Sequence, residues 1–372
     1  MLGMGRMVYN RTIAAQRDGT LPSLSFIKAR EFVLGECNKY AEEKGFLGDF
    51  TRMNLEAKRQ AVNDALKAIK NAISKYRKTT EISKFKFRSK KDSSQSLYVR
   101  QSCIGNNTVF KTLLGRMCTS ENFSTPTYDS RLVVKRNKHW SMHIPFESSK
   151  EYVFKGLYSK SVCALDPGNR TFQTFYSPTL AGKIGDGDKT RLFRLCLGCD
   201  KLQSKISKST GNTKRSIIRA YHRATSKVKN LVNEIHWKAA NFLTSNFDTI
   251  LLPKFETRRM VTKQSGKSRL NSKTSRQLLT WSHYTFQQRL KTKAAEMGSQ
   301  VILTSEEYTS KTCPSCGRIH EKLGSNKVFK CPSCATTLDR DYNGARNVLL
   351  RFLTLLESNN LSGLLRWEVP PS

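Results

Sequence analysis

The sequence predicts an α/β protein with an inserted four-cysteine zinc module, preceded by a region of mixed helix and strand. Between residues 161 and 357, short apolar runs alternate with long stretches of helical periodicity, the pattern of a sheet with helical crossovers. Two Cys-x-x-Cys pairs near the C-terminus interrupt this alternation. Before residue 155, a long amphipathic helical stretch gives way to strand-like segments.

Charge is the strongest feature of the composition. The 372 residues include 65 lysines and arginines against 29 acids, a formal net charge of +36. A domain with this charge repels itself, and binding to a polyanion relieves the repulsion and releases counterions. The basic residues are spread along the whole chain and no lipidation signal is present, which favours nucleic acid over a membrane surface as the partner.

The apolar pattern and the cysteines predict the compartment. No run of 18 apolar residues is present, so no membrane span is expected, and the first residues lack the apolar segment of a secretory signal. Cys196 and Cys199 share the Cys-x-x-Cys spacing but lie in a helical stretch without a second pair, so they are expected in the core. The scattered cysteines indicate a reducing compartment, and we expect an intracellular protein of the nucleus or cytoplasm.

The N-terminal region is expected to hold helix first and strands later. Residues 54–78 repeat apolar side chains at helical spacing and carry a basic second face. Residues 84–88 alternate basic residues with phenylalanine, which suits a strand with one cationic, nucleic-acid-binding face or an ordinary edge strand guarded by lysines. A further strand is expected over 131–145.

The second half supplies the α/β domain. Strands are predicted at 161–166, 171–176, 248–255 and 300–306, and helices at 192–206, 216–243, 276–297 and 340–353. The segment 257–276 contains many cations and no acids. We expect a mobile loop there that follows a phosphate backbone, or a disordered surface loop that orders on binding.

The two cysteine pairs predict one tetrahedral metal site. Each pair places two thiolates where they can share a metal, and the fourteen residues between the pairs let them complete the set. A redox pair or a coincidence of spacing does not account for two matching knuckles. Four protein ligands close the site, so the metal is expected to be structural zinc. The ligands are Cys313, Cys316, Cys331 and Cys334.

Two aspartates mark a second candidate site. Asp166 ends a buried strand, and Pro167 and Gly168 force a turn after it, so its carboxylate is expected at the sheet edge. Asp341 begins the last helix, straight after the zinc module. Converging carboxylates repel each other unless a cation lies between them, and magnesium at such a site can activate water and stabilise a leaving oxygen on phosphate. Either aspartate taken alone would be better explained as a cap or turn residue, so the prediction depends on the pair.

The order of these motifs resembles the RuvC nuclease half of the TnpB family, transposon-encoded RNA-guided nucleases similar to the compact type V CRISPR effectors. The motifs are LDPGNRT, a long helical stretch, then TSKTCPSCG, CPSC and LDRDYNGARN. The variant EEYTSKTC resembles Fanzor, the eukaryotic and viral branch. The resemblance is strong over 160–350 and weaker over 1–155, where GRMVYNR, the QAVNDALKAIKNA helix and KFKFRSKKDSSQSLYV match loosely.

The resemblance implies an RNA-guided DNA endonuclease with an RNase H-like RuvC fold, catalytic magnesium, an omega-type guide RNA and double-stranded target DNA. Asp166 carries over as the first catalytic acid and Asp341 as the last. Because the chain starts almost at GRMVYNR, the leading wedge strand of the family is expected to be absent or minimal. The implied domains are a wedge and recognition-like region (1–155), a RuvC core in two parts (156–308 and 339–357), a zinc-bearing target-nucleic-acid-binding insert (309–338) and a C-terminal tail (358–372).

One departure from the family concerns the remaining catalytic acid. TnpB proteins usually carry glutamate at the end of the strand written TILLPKF here, where this chain has Pro253, which cannot hold a metal. Glu306 follows the strand VILTS directly and is the predicted ligand, an arrangement that Fanzor relatives resemble. Glu307 and Glu256 are the alternatives.

Two other functions compete with a nuclease. Loss of one acidic ligand would leave a catalytically weakened or inactive guided DNA-binding protein, such as a repressor. A zinc-bearing structural protein that binds RNA would explain the charge but not the two aspartates.

Overall fold

The computed structural model describes residues 1–80, 85–147, 161–262, 270–305, 309–321, 323–324 and 326–358. The chain divides into two compact units, Met1–Glu147 and Ser148–Ser372. The domain boundary expected near residue 155 falls within 148–160, outside the described residues, and stays a prediction. No helix within the described ranges is both long and apolar enough to cross a bilayer.

The helices of the first unit surround a shared apolar core. The amphipathic helix expected at 54–78 is confirmed, and Asn54 caps it by accepting the backbone N–H of Ala57 at 3.1 Å. Its apolar side, including Val62 and Leu66, is buried with residues of the two long helices before it. The helices are α1 Leu2–Arg17, α2 Phe26–Glu43, α3 Leu47–Arg52, α4 Leu55–Thr79 and α5 Lys111–Leu114.

The strands of the first unit form a three-stranded antiparallel sheet, in the order β1-β4-β5, and a small hairpin of β2 and β3. They are β1 Ser94–Val99, β2 Ile104–Gly105, β3 Thr108–Val109, β4 Ser130–Lys135 and β5 Trp140–His143. The single strand expected over 131–145 is therefore two strands, because the chain reverses near Lys138, whose φ is 64°.

The strand expected at 84–88 is wrong for residues 85–88, which have no strand pairing, and Lys84 lies outside the described residues. Asn10 of α1 explains the difference, because its side chain occupies the backbone groups of Arg88 that a ladder would use. The Arg88 N–H donates to Asn10 Oδ1 at 2.7 Å, and Asn10 Nδ2 donates to the Arg88 carbonyl at 2.9 Å. The Arg17 guanidinium lies 4.3 Å from the Phe87 ring centroid, so this segment is bound to α1.

The second unit is built on a five-stranded sheet of β6 Val162–Pro167, β7 Gln173–Tyr176, β8 Ala181–Ile184, β9 Thr249–Pro253 and β10 Gln300–Thr304. The order is β10-β9-β6-β7-β8, with β6, β7 and β8 antiparallel and with β9 and β10 parallel to β6. An antiparallel meander extended beside its first strand by two parallel strands is the RNase H-like arrangement. The predicted fold class is confirmed.

Long helices connect these strands. They are α6 Asp188–Lys208, α7 Gly211–Asn246, α8 Thr257–Val261, α9 Ser272–Trp281, α10 His283–Met297 and α11 Arg340–Ser358. The helix expected over 276–297 is interrupted at Ser282, whose φ of 52° is left-handed, which separates α9 from α10. The loop expected over 257–276 instead contains α8 and part of α9, and its middle, 263–269, lies outside the described residues.

The two faces of β6 contribute to different cores. Cys163 and Leu165 pack with residues of α7 and α10, whereas Val162 and Ala164 pack with Val348 of α11. Because strand side chains alternate with period two, Asp166 lies on the face that α11 covers.

A small module lies between β10 and α11. It contains the antiparallel pair β11 Val328–Lys330 and β12 Thr337–Asp339. Its apolar core consists of Leu323, Phe329, Leu338 and two of the cysteines. A core this small stabilises a loop weakly, so a metal is the expected source of stability.

Candidate active site and metal centre

Four cysteine sulfurs come together beside β11 and β12. The ligand atoms of Cys313, Cys316, Cys331 and Cys334 all lie within 4.8 Å of one another. The sulfurs of Cys313 and Cys334 are 3.5 Å apart, and those of Cys316 and Cys331 are 3.6 Å apart. Sulfurs around a tetrahedral zinc ion lie roughly 3.8 Å from one another, as the zinc–sulfur bond length requires. The four predicted ligands therefore fit a single tetrahedral metal.

Both knuckles turn in the same way. The residue after the second cysteine of each is left-handed, with a φ of 73° at Gly317 and 57° at Ala335. The backbone N–H of Cys334 donates to Cys331 Sγ at 3.5 Å and lowers the pKa of Cys331. Hydrogen bonds with Thr336 lower the pKa of Cys334 to about 6. These donors favour the thiolate forms of Cys331 and Cys334, the form in which cysteine binds a metal.

Two buried asparagines tie the zinc module to α11. Asn347 Nδ2 donates to the carbonyls of Thr309 and Thr312, both at 2.7 Å, and Asn343 Nδ2 donates to the Thr312 carbonyl at 3.0 Å. The segment that leads into the first knuckle is thus fixed to the helix that carries Asp341. Sequence reasoning missed these asparagines, although their i, i+4 spacing places them on one side of a helix.

Asp166 lies at the end of β6, against the first turns of α11. A Cβ added to Gly344 of α11 would come within 2.6 Å of Asp166 Oδ2. The helix backbone therefore lies so close to the carboxylate that no side chain fits at position 344. Asp341 is three residues before Gly344 and lies on the same side of the helix. The structure thus brings Asp166 and the turn of α11 that carries Asp341 to one edge of the sheet.

The turn after Asp166 has the expected tight geometry. A Cβ added to Gly168 would come within 2.6 Å of the Thr171 carbonyl oxygen, so the turn requires glycine there. The Gly168 N–H donates to the Phe172 carbonyl at 3.3 Å, and Trp281 Nε1 donates to the Asn169 carbonyl at 3.1 Å. The end of β6 is therefore anchored to the core that α9 covers.

Lys183 and Asp339 also lie at this edge, and sequence reasoning missed both. Asp339 Oδ1 accepts the backbone N–H groups of Asp341 at 2.9 Å and Tyr342 at 3.3 Å, so Asp339 caps α11. Asp339 Oδ2 accepts Lys183 Nζ of β8 at 2.8 Å. The motif LDRD offered a sequence signal for the cap, whereas the position of Lys183 at this edge follows only from the register of β8 with β7.

The electrostatics of this edge suit a cation. Burial, followed by the negative charge of Asp339, raises the pKa of Asp341, and Lys183 partly offsets this rise. A half-buried carboxyl group beside another acid is stabilised in its ionised form by a bound cation. Because Mg²⁺ prefers oxygen ligands, the aspartates at this edge fit magnesium.

The third acid is not at the end of β9. Ala164 of β6 is registered with Leu251 of β9, so Pro253 stands beside Asp166, and Thr304 of β10 is registered with Pro253. Glu306, the predicted ligand, and Glu307 both lie outside the described residues, and Glu306 stays a prediction.

Glu256, the other alternative, has an exposed side chain in an ion pair. Its Oε2 accepts Arg259 Nη1 at 3.0 Å, one turn along α8. Since this pair occupies one of its carboxylate oxygens at the surface, Glu256 is the weaker candidate.

The strand order defines an RNase H-like fold with a cysteine-rich insert before α11. Residues 283–348, from α10 into α11, match the family model described as Cas12f1-like, TNB domain.

Three sequence relatives extend the comparison beyond this segment. A putative transposase of Paramecium bursaria Chlorella virus 1 is 33% identical over 218 residues, which are 58% of this chain and 48% of that protein. A TnpB-like protein of Acanthamoeba polyphaga mimivirus is 33% identical over 202 residues, 51% of this chain and 37% of that protein. The putative RNA-guided DNA endonuclease InsQ of Escherichia coli is 25% identical over 361 residues, 93% of this chain and 86% of that protein.

These findings confirm the resemblance to the TnpB family of compact RNA-guided nucleases. The alignments span about half or less of the two viral relatives' own length, 48% and 37%.

Proposed function

We propose that this protein is an RNA-guided DNA endonuclease with a magnesium-dependent active site of the RuvC type. The observation that carries the proposal is the meeting of Asp166 and the start of α11 at one edge of an RNase H-like sheet. The relative InsQ, which aligns over most of its length, is named as a putative RNA-guided DNA endonuclease. The net charge of +36 supports RNA and DNA as joint partners.

Asp166 and Asp341 are the residues that would hold the divalent metal, with Glu306 as the proposed third ligand. The metal, when bound, supplies activation of water and neutralisation of charge at the phosphate. The chain itself holds the Asp166 carboxylate against the backbone of α11 at Gly344, one turn after Asp341. Sequence would be read by pairing between an omega-type guide RNA and one DNA strand, while the protein holds the backbones.

The four cysteines would hold a structural zinc ion that stabilises the module between β10 and α11. Because Asn343 and Asn347 fix this module to α11, it lies close to the proposed catalytic edge in sequence and in structure. We infer a role in holding nucleic acid near the scissile phosphate rather than in the chemistry, since four protein ligands leave the metal no open position.

A second candidate is a guided DNA-binding protein that does not cut. Pro253 favours it, because the strand-end position next to Asp166 offers no oxygen ligand. The two candidates share the guide RNA and differ only in cleavage, so the same preparation tests both.

The first experiment is to express the chain with its native flanking DNA and sequence the RNA that co-purifies. A single defined RNA with a constant fold and a variable end supports guided function. A random spread of cellular RNA would contradict it.

The second experiment supplies the defined RNA and a matched plasmid with magnesium. Cleavage by the wild type that is lost in Asp166→Ala, with DNA binding retained, supports the nuclease. Binding without cleavage by the wild type supports the second candidate. Glu234→Gln is a control that removes one exposed acid of α7 and should cut normally.

The third acid is assigned by three matched variants, Glu306→Gln, Glu307→Gln and Glu256→Gln. We expect Glu306→Gln to abolish cleavage and the other two to retain it. Normal cleavage by Glu306→Gln would move the assignment to whichever of the others fails to cut.

A further inference from the structure

Lys183 occupies an unusual position for a lysine, on the sheet face that α11 covers. It is registered opposite Thr174 of β7, and Thr174 is registered opposite Asp166 of β6. Directly opposed residues of antiparallel strands point to the same face. Asp166 and Lys183 therefore share one row across the sheet, two strand spacings or roughly 10 Å apart.

The lysine is bound to the start of α11 through Asp339. One carboxylate oxygen of Asp339 accepts the Lys183 ammonium, and the other accepts the first free N–H groups of the helix. The ammonium also lies 5.2 Å from the ring centroid of Tyr342. Although burial lowers the pKa of Lys183, the hydrogen bond to Asp339 and the charges of Asp339 and Asp341 raise it overall, so the lysine stays cationic.

Asp339 alone would be enough to cap a helix. The ion pair with Lys183 does something more, because it links the first turn of α11 to the sheet that carries Asp166. The first turn of a helix is where its backbone frays most readily, and Asp341 lies in that turn. A carboxylate that must meet a metal together with Asp166 gains from being fixed in advance.

We propose that Lys183 is a positioning residue for the active site: through Asp339 it fixes the first turn of α11, so that Asp341 is held ready to share a divalent metal with Asp166. This inference rests on the proposed function for its purpose. Its test nevertheless does not depend on cleavage alone, because metal binding and helix order can be measured without it.

The test compares Lys183→Met and Lys183→Arg with a matched control, Lys238→Met. Lys238 forms an exposed ion pair with Glu234 on α7 at 2.7 Å, so its loss removes the same charge from a site away from the sheet edge. The full chain with its RNA is titrated with Mn²⁺ by calorimetry. Hydrogen exchange is followed for the amides of residues 337–349.

We expect Lys183→Met to weaken Mn²⁺ binding about tenfold, the loss typical when a residue that orients a metal ligand is removed. Exchange at the start of α11 should accelerate. Lys183→Arg, which can still bind the carboxylate, should restore both, and Lys238→Met should change neither. In cleavage assays, Lys183→Met should require more magnesium for half-maximal rate, with an unchanged KM for DNA.

Unchanged Mn²⁺ affinity and exchange in Lys183→Met would overturn the inference. A raised KM for DNA with normal metal binding would also overturn it, since Lys183 would then contact substrate directly. Absence of cleavage by the wild type would instead refute the proposed function, and the Mn²⁺ and exchange comparison would still decide the role of Lys183.

Discussion

The zinc module and the carboxylate edge (Asp166 and Asp341) both adjoin the start of α11 and are built in opposite ways. All four predicted zinc ligands fall within the short segment 313–334, and their sulfurs are already at metal-binding separation. Asp166 and Asp341 come from opposite ends of the second unit's sequence, and only the fold places the end of β6 against the first turns of α11. One site is encoded by local spacing, whereas the other is assembled by the fold.

This difference predicts that substitutions in the two sites will have different effects on folding and activity. The zinc module has little apolar core, so its folding should depend on the metal. The carboxylate edge rests on a buried sheet, so its loss should remove activity while the fold persists. The predictions below separate the two sites in this way, beginning with the largest effect.

Cys331→Ser should unfold the zinc module. Zinc binding contributes on the order of 10 kcal/mol to such modules, and the loss of one buried ligand removes most of it. We expect the bound zinc, measured by mass spectrometry of the metal, to fall from one equivalent towards none, with rapid proteolysis within 309–338. Cys199→Ser, which changes a buried cysteine of α6, should retain its zinc. A full equivalent of zinc in Cys331→Ser would show that this cluster is not the site.

Gly344→Ala should damage the carboxylate edge without unfolding the protein. The added Cβ would lie 2.6 Å from Asp166 Oδ2, so the carboxylate or the helix must move. A displacement of about 1 Å can reduce a rate about a hundredfold. The measurement is the cleavage rate at saturating guide and magnesium, with zinc content as the check on folding. Gly198→Ala is the matched control, since that glycine of α6 has no atom within 4 Å of an added Cβ. A normal rate for Gly344→Ala would contradict the close approach.

Acid should weaken the core beneath the carboxylate edge through two buried histidines. His236 and His283 lie on either side of the Phe172 ring, at centroid distances of 5.0 and 5.3 Å. Burial lowers the pKa of His236 to about 4 and of His283 to about 3, from an ordinary value of 6.5. The unfolded chain therefore binds more protons below pH 6.5, and stability is lost as the pH falls from 6.5 towards 4.

Between these pH values, the free energy of unfolding should change by about 1.4 kcal/mol per pH unit for each histidine. Urea unfolding at several pH values measures this dependence. His283→Phe, which keeps a ring in the stack, should remove the contribution of one histidine, about 1.4 kcal/mol per pH unit. The same slope in wild type and His283→Phe would contradict the assignment of a neutral buried imidazole.

Ala335→Gly should stabilise the zinc module slightly. Ala335 has a left-handed φ of 57°, whereas the equivalent position of the other knuckle is Gly317. Relief of this strain is worth about 1 kcal/mol, and Gly317→Ala should cost a similar amount. Competition with a zinc chelator measures both. Equal zinc affinity in all three proteins would show that the turns tolerate either residue.

The same contrast explains what the sequence could predict. Cysteine spacing predicted the four-cysteine cluster that the structure brings together, because the cysteines and the turns between them are local. Asp166 and Asp341 were predicted from the ends of their strand and helix, since Pro167 and Gly168 mark the turn, and the structure confirms those positions in β6 and α11. Lys183 could not be found, because its place depends on the pairing of β8 with β7, which no local pattern records.

The errors have similar causes. Residues 85–88 alternate like a strand, but Asn10, far away in sequence, takes the backbone bonds of Arg88. The continuous helix expected over 276–297 ignored Ser282, which carries no helix-breaking signature and yet is left-handed. A tertiary contact overrides the local preference at residues 85–88, whereas the break at Ser282 has no signal in the local sequence.

The central claim, that Asp166 and Asp341 hold one metal site, is tested most directly by a double-mutant comparison. Cleavage rates of a matched DNA are measured for wild type, Asp166→Asn, Asp341→Asn and the double variant, all loaded with the same guide RNA. The cleavage rate of each single variant should fall about a thousandfold or more, since several kcal/mol of charge stabilisation in the transition state is lost. The double variant should be no slower than either single one, because both residues serve the same ions. A wild-type rate in either single variant, or losses that multiply in the double variant, would contradict the account.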